Sequence, residues 1–435
     1  MSAHDYSGDA FLWRNGSPLT RAQFLGGAAA IARQLPPGEH LLNLCVQRET
    51  FLLAFVASIY ARRTQLMPAA RGEVALAELA AAHPGNLRVT DDDIRRWRPR
   101  TTSPEPPADL LPDDEDRVLV SFTSGTTGRA QPHSKRWRAL AASARLNSAA
   151  MRNALGVPDH APVSIVGTVP SHHIYGIEFT VLLPLFANMT LHAERPLFPA
   201  DVAAALSRPP RPRVLVSTPL HLRALAESGM TFPALDLIIC ATAPLDPALA
   251  SRVEERLGAP LLEVFGSTET CAVATRRTVQ QPEWELYAGV TLDAAPDATR
   301  ISAGWFERPQ LLQDLVELRG DRRFVLLGRN SDLVEVAGKR ASLADITRRL
   351  CAVPGVEDAL AFQPEAAASG VANRIAALVV SRTLSAPEIA RHVAGGLDAA
   401  LVPRPLLLVE RIPRDQVGKV SRARLLQLTR GTPQD

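Results

Sequence analysis

Ser121-Phe122-Thr123-Ser124-Gly125-Thr126-Thr127-Gly128 is the stretch from which the rest of the chain can be read. An apolar run over residues 117–122 leads into it, and a helical pattern over residues 136–155 follows it. Two glycines let the backbone curl until successive amides face one anion, and the hydroxyls of Thr123, Ser124, Thr126 and Thr127 add side-chain donors. The stretch therefore reads as a phosphate-binding loop between a buried strand and a helix. No Gly-Lys-Ser/Thr closes it, so it is not a Walker A sequence. Lys135 lies further on, within reach of a β- or γ-phosphate; the alternative is a solvated residue on the first turn of the helix.

Upstream of the loop, residues 17–35 read as a helix, 41–46 as a strand, 49–62 as a helix and 65–67 as a strand. Strands alternating with helices argue for a parallel sheet covered on its faces. Residues 99–116 turn to Pro, Thr and acidic side chains, a solvated connection. Downstream, strand-like runs recur at residues 163–169, 214–217, 237–240 and 261–265. The character changes after about Gly328. Ser342-Leu343-Ala344-Asp345 reads as a helix N-cap, with the acid reaching back to the free amides. Strands at 359–362, 374–380 and 406–410 and a helix at 387–397 complete a small α+β unit. The expected fold class is α/β: a large multi-layer α/β N-terminal domain over residues 1–329, then a short hinge and a smaller α+β C-terminal domain over residues 330–435. No internal repeat is seen.

The chain of 435 residues is 46% hydrophobic and 21% charged, with a formal net charge of +3. Such a balance points to neither nucleic acid nor a membrane surface. The opening residues lack a basic region followed by an apolar run, so no secretory signal is expected. The longest apolar stretch, residues 51–61, is too short to span a bilayer and reads as a core helix. Cys45, Cys240, Cys271 and Cys351 show no metal-ligand spacing and read as free buried thiols in a reducing, cytoplasmic setting. Of 48 basic residues only Lys135, Lys339 and Lys419 are lysine. Lysine is a compact point charge on a flexible stem, arginine a rigid planar fork. A lysine that persists against such a bias marks a place where a point charge is useful.

The motifs together carry a resemblance. SFTSGTTG resembles the phosphate-binding signature of the adenylate-forming superfamily, which comprises acyl- and aryl-CoA synthetases, adenylation domains and luciferases. Phe265-Gly266-Ser267-Thr268-Glu269 resembles its aromatic-Gly-x-Thr-Glu motif. Leu312-Gln313-Asp314-Leu315 keeps the Asp of its Thr-Gly-Asp motif, and Gly328-Arg329-Asn330-Ser331-Asp332 is similar to its hinge motif. Pro413-Arg414-Asp415-Gln416-Val417-Gly418-Lys419 resembles its C-terminal Pro-Arg-x-x-x-Gly-Lys. Five motifs in the right order, over residues 121–422, are jointly specific.

The resemblance implies an enzyme that activates a carboxylic acid with ATP as its acyl-adenylate, then transfers the acyl group to the thiol of CoA or of a phosphopantetheinyl carrier protein. It implies that Thr123 to Gly128 (Thr123, Ser124, Gly125, Thr126, Thr127, Gly128) hold the triphosphate; Lys135 either stands in for the family's loop lysine or leaves the loop to bind triphosphate less tightly. Thr268 reaches the α-phosphate and Glu269 binds Mg²⁺, which needs few carboxylates when phosphate oxygens are present. Phe265 and Gly266 border the adenine, as does Ala243. Asp314 and Arg329 hold the ribose. Lys419 bridges carboxylate and phosphate and offsets developing charge. His173, from Pro170-Ser171-His172-His173-Ile174-Tyr175-Gly176, orients the carboxylate or gates the acyl pocket, which Tyr175, Ala241 and Thr242 line. Without the resemblance, Glu269 reads as part of a helix cap, Phe265 as plain core and Asp314 as a surface acid.

The sequence also departs from the family. Ala130-Gln131 replaces the usual Pro-Lys pair, so the loop lysine is absent, and Ser331 replaces a charged hinge residue. The shortened large domain and the His-His-x-Tyr-Gly stretch resemble ligases of aryl-polyene pigment pathways, which implies a small, planar aryl acid. Two other readings stay open: a ligase that stops at the adenylate or delivers it to an amine, and a nucleotide-binding regulatory protein without turnover.

Overall fold

The computed structural model describes residues 10–14, 17–68, 70–98, 112–124, 130–295, 298–329, 333–336, 339–364, 374–414, 420 and 425. By compactness the chain divides into two units, Met1–Val290 with Ala303–Glu307, and Thr291–Ser302 with Arg308–Asp435.

The first unit contains two sheets. In the smaller, the strands Leu87–Val89, His40–Asn43, Thr64–Met67 and Arg117–Ser124 lie side by side and parallel, and Ala130–Arg136 closes one edge antiparallel. The larger has a parallel centre of Leu261–Ser267, Leu237–Cys240, Arg213–Ser217, Val163–Gly167 and Met189–His192. Its central strands are buried along their whole length, as expected of a parallel sheet covered on both faces. Val166, Leu215, Ile238 and Leu261 form one core with the helices Pro199–Ser207, Pro219–Glu227 and Pro247–Leu257. The helix Arg48–Tyr60 is buried along its length, the core helix expected of the apolar run at 51–61.

One buried cation ties the smaller layer to the larger. The Arg48 guanidinium donates to the carbonyls of Gly167 at 2.9 Å, Val169 at 2.8 Å, Glu194 at 2.7 Å and His192 at 3.3 Å. Burial pulls its pKa down to about 9, so it remains charged at neutral pH with carbonyl dipoles as its partners.

The second unit contains the hairpin Asp314–Leu318 with Arg323–Arg329, the pair Leu333–Val336 with Lys339–Ser342, and a three-stranded sheet of Val356–Phe362, Ala376–Ser381 and Leu406–Leu408. The helices Leu343–Cys351 and Ala386–Ala394 pack on the last of these through Ile346, Leu350, Ile389 and Val393. Ser342 caps the first helix by accepting from the Asp345 amide at 3.3 Å. The Asp345 carboxylate pairs with Arg348 and Arg349 instead of reaching back.

Three local expectations change. Residues 17–20 form a strand that pairs with Ala10–Arg14, and the helix begins only at Arg21. The loop quoted at the outset leads not into a helix but into a second strand, Ala130–Arg136; the helix starts at Trp137. Pro132 is tolerated there because the strand is an edge. Cys45, Cys240 and Cys271 are buried, whereas Cys351 is exposed at the end of its helix.

Candidate active site

In sheets with a parallel core, ligands bind beyond the carboxyl ends of the strands. In the first unit most sequence-predicted residues gather at such ends. Thr123 and Ser124 end their strand; Gly125, Thr126, Thr127 and Gly128 lie outside the described residues, as does Lys419. Ala241, Thr242 and Ala243 follow the strand Leu237–Cys240, and Phe265, Gly266, Thr268 and Glu269 lie at and just beyond the end of Leu261–Ser267. A cleft of about 490 Å³ lies at the other edge of the smaller sheet, lined by His40, Thr64, Arg117 and Arg136. It faces the starts of those strands, and Arg136 is already paired with Glu115 and Glu307. We therefore place the site at the carboxyl edge and not in this cleft.

The turn after Leu261–Ser267 is built from its own side chains. The Ser267 amide donates to Thr270 Oγ1 at 3.2 Å, and the Thr270 amide donates back to Ser267 Oγ at 3.3 Å. Thr268 and Glu269, both half-buried, are carried between these anchors. Gly266 is required here: a Cβ would stand 2.3 Å from the Cys271 carbonyl oxygen. Cys271, just past the turn, holds φ at +62°. The Phe265 ring is half-buried, its centroid 5.4 Å from that of Trp284.

The strand Ala130–Arg136 meets this turn. The Lys135 ammonium, 6% exposed, donates to the Glu269 carbonyl oxygen. Lys135 is thus neither solvated nor on a helix; its position on the strand buries it. His133, which sequence reasoning passed over, places Nε2 2.9 Å from Thr123 Oγ1 and 3.6 Å from Glu269 Oε1. Burial lowers the His133 pKa; the Glu269 carboxylate opposes this and Lys135 adds to it. The signal was available in the alternation Gln131, His133, Lys135, which has the period of a strand.

Behind the turn lies a buried carboxylate. Glu178 Oε1 accepts from Ser143 Oγ at 2.5 Å, Asn147 Nδ2 at 3.1 Å and the Ala272 amide at 2.8 Å. Burial pushes the Glu178 pKa up, and these donors together with Lys135 oppose the rise.

The Pro170–Gly176 segment is folded tightly, since a Cβ on Gly176 would stand 2.0 Å from the Pro170 carbonyl oxygen. His173 is half-buried ahead of the short helix Ile174–Ile177, its ring 4.5 Å from that of His172. Burial first, then Arg71, His173 and Arg195, hold the His172 pKa down to about 2, so that imidazole is neutral. Tyr175 follows at the start of that helix. It is buried, and its hydroxyl lies 3.1 Å from the Ser217 carbonyl oxygen and 3.0 Å from that of Ile239, joining two strand ends. Sequence reasoning also passed over Thr168, whose Oγ1 is 2.9 Å from both Ser217 Oγ and His221 Nδ1 along the same edge.

Thr242 holds φ at +87°, a region that β-branched residues avoid. Such strain costs about 1–3 kcal/mol and collects at functional sites. Thr242→Gly is expected to raise the thermal midpoint by about 2–4 °C while lowering kcat/KM for the acid. Calorimetry beside steady-state kinetics checks this, and a lowered midpoint would show that the threonine is not strained.

In the second unit, Asp314 and Arg329 are register partners across their hairpin, so the two residues expected at the ribose stand opposite each other. Among the described residues no group of three or more His, Cys, Asp or Glu could cage a metal ion. A single accessible carboxylate fits Mg²⁺, which keeps waters and phosphate oxygens as its other ligands. No described helix is long and apolar enough to cross a membrane.

The fold is that of an α/β protein whose candidate site residues gather at the carboxyl edge of its sheets. Comparison with known proteins narrows this. The AMP-binding enzyme family matches residues 54–298. The 4-coumarate–CoA ligase of Rhodobacter capsulatus is 31% identical over 72% of this chain and 77% of its own length; that of Halorhodospira halophila is 29% identical over 72% and 78%. Among solved structures, ATP-bound MatB from Rhodopseudomonas palustris superposes with a TM-score of 0.80 at 17% identity, over 99% of this chain and 97% of that one, which speaks to the fold. The chain belongs to the AMP-binding enzymes of the adenylate-forming superfamily.

Proposed function

We propose that this enzyme activates a small aryl carboxylic acid with ATP and passes the acyl group to a thiol. In the first step a carboxylate oxygen attacks the α-phosphorus and the bond to pyrophosphate breaks. In the second the thiol sulfur attacks the acyl carbon, AMP leaves, and the thiol proton is released. The observation that carries this reading is the meeting of Glu269 with the strand that follows the phosphate loop, which unites two motifs far apart in sequence.

Mg²⁺ held by Glu269 would neutralise phosphate charge, and Thr268 would donate to the α-phosphate. Phe265 and Ala243 would border the adenine, Asp314 and Arg329 the ribose, and His173 the carboxylate. Residues 330–435 would turn about a hinge after Arg329, carrying Lys419 in for adenylation and away for thiol transfer. CoA is the acceptor that the 4-coumarate–CoA ligases favour by their names; a carrier-protein thiol offers the same chemistry.

The acid class rests on small side chains. Small side chains at Ala241, Thr242 and Ala243 would leave room for a ring beyond their strand, and the Tyr175 hydroxyl joins two neighbouring strand ends. ATP–pyrophosphate exchange with a panel of acids is therefore expected to favour benzoate- and cinnamate-type acids, hydroxylated ones included, over long-chain fatty acids. A preference for the fatty acids would overturn the class, and exchange with no acid would overturn the function.

A further inference from the structure

The strand Ala130–Arg136 alternates its side chains between two faces, so His133 and Lys135 share one face, opposite Ser121 and Leu119 of the neighbouring strand. That face meets Glu269 at two points of different kinds. Lys135 holds the main-chain carbonyl, and His133 Nε2 faces the carboxylate. The same Nε2 lies 2.9 Å from Thr123 Oγ1, a hydrogen bond that fixes the ring. An unprotonated Nε2 would turn its lone pair toward a carboxylate oxygen. A proton on Nε2 removes that clash: it is donated to Thr123 Oγ1, and the polar edge of the ring then faces the Glu269 carboxylate at 3.6 Å.

We propose that His133 and Lys135 are positioning residues that set the Glu269 turn and carboxylate for Mg²⁺, so that metal-site order comes from the strand in a loop whose usual lysine is replaced by Gln131. The assignment rests on the reading of Glu269 as the metal ligand. Groups that orient a metal-binding side chain are typically worth about 10–100-fold in metal affinity.

The test is Mn²⁺ binding to the full chain saturated with ATP and without acid, followed by the EPR signal of free Mn²⁺. His133→Ala should weaken Mn²⁺ by about tenfold, and His133→Gln, which keeps a donor at the same reach, should restore most of it. In a Glu269→Gln background, His133→Ala should have no further effect. Wild-type Mn²⁺ affinity in His133→Ala, or an equal loss in both backgrounds, would overturn the proposal. Should His133→Ala not fold, His133→Asn, too short to reach Thr123 or Glu269, decides: a loss of about tenfold supports the role, and unchanged affinity refutes it. No acid is present in these measurements. A protein that behaves as expected here but exchanges pyrophosphate with no acid would remove the proposed function and leave the positioning role standing.

Discussion

Glu269→Gln is expected to raise the Mg²⁺ concentration for half-maximal pyrophosphate exchange by about tenfold or more and to leave the thermal midpoint near that of wild type. Both halves follow from how the residue is held. The turn is closed by Ser267 and Thr270 and by Lys135 on the main-chain carbonyl, none of which involves the carboxylate. Glutamine keeps the shape and leaves the turn's own hydrogen bonds in place, so the fold loses little. What it loses is the anionic oxygen, and Mg²⁺ is a hard cation that favours one. On the proposed assignment Glu269 is a direct ligand, and its loss should cost at least as much as losing a group that merely orients one. An unchanged magnesium titration would reduce Glu269 to a turn residue, and the positioning role of His133 would lose its object.

Lys419→Ala is expected to lower acid-dependent pyrophosphate exchange by about 10²-fold, the usual effect of removing a positioned charge at a reacting centre. Transfer from a preformed acyl-adenylate to the thiol should remain largely intact, because the hinge would carry this lysine away for that step. The contrast with Lys339 is useful. That lysine is exposed and paired with Asp398, so a neutral substitution there removes one surface ion pair, worth little. Lys419 lies outside the described residues, and its role rests on its motif and on the scarcity of lysine. Equal losses in both half-reactions would refute the division of labour.

The fold was largely legible because parallel strands announce themselves as short apolar runs between helices. Residues 163–169, 214–217, 237–240 and 261–265 all emerge as strands of one sheet. Where the reading slipped, local pattern was overridden by pairing. Residues 130–136 contain proline and basic side chains and look like a loop running into a helix, yet they gain a full ladder against residues 117–124. That one slip hid His133 and misplaced Lys135. The bonds of Tyr175 were hidden for a related reason: only the register of two neighbouring strands supplies the carbonyl oxygens that its hydroxyl reaches. The strain at Thr242 was beyond sequence altogether, since threonine carries no sign that its backbone will be forced to positive φ.

The distribution of thiols has a practical consequence. Burial pushes Cys45 and Cys271 up to about 12 and raises Cys240 as well, so those sulfurs are shielded and scarcely ionised at neutral pH. Cys351 is the exposed one, and it sits on the smaller unit. A maleimide fluorophore or spin label applied to the unaltered protein should therefore attach at a single place on that unit. Adding one engineered cysteine on the larger unit would then give a distance ruler between the two, read with ATP, with acid and with thiol in turn.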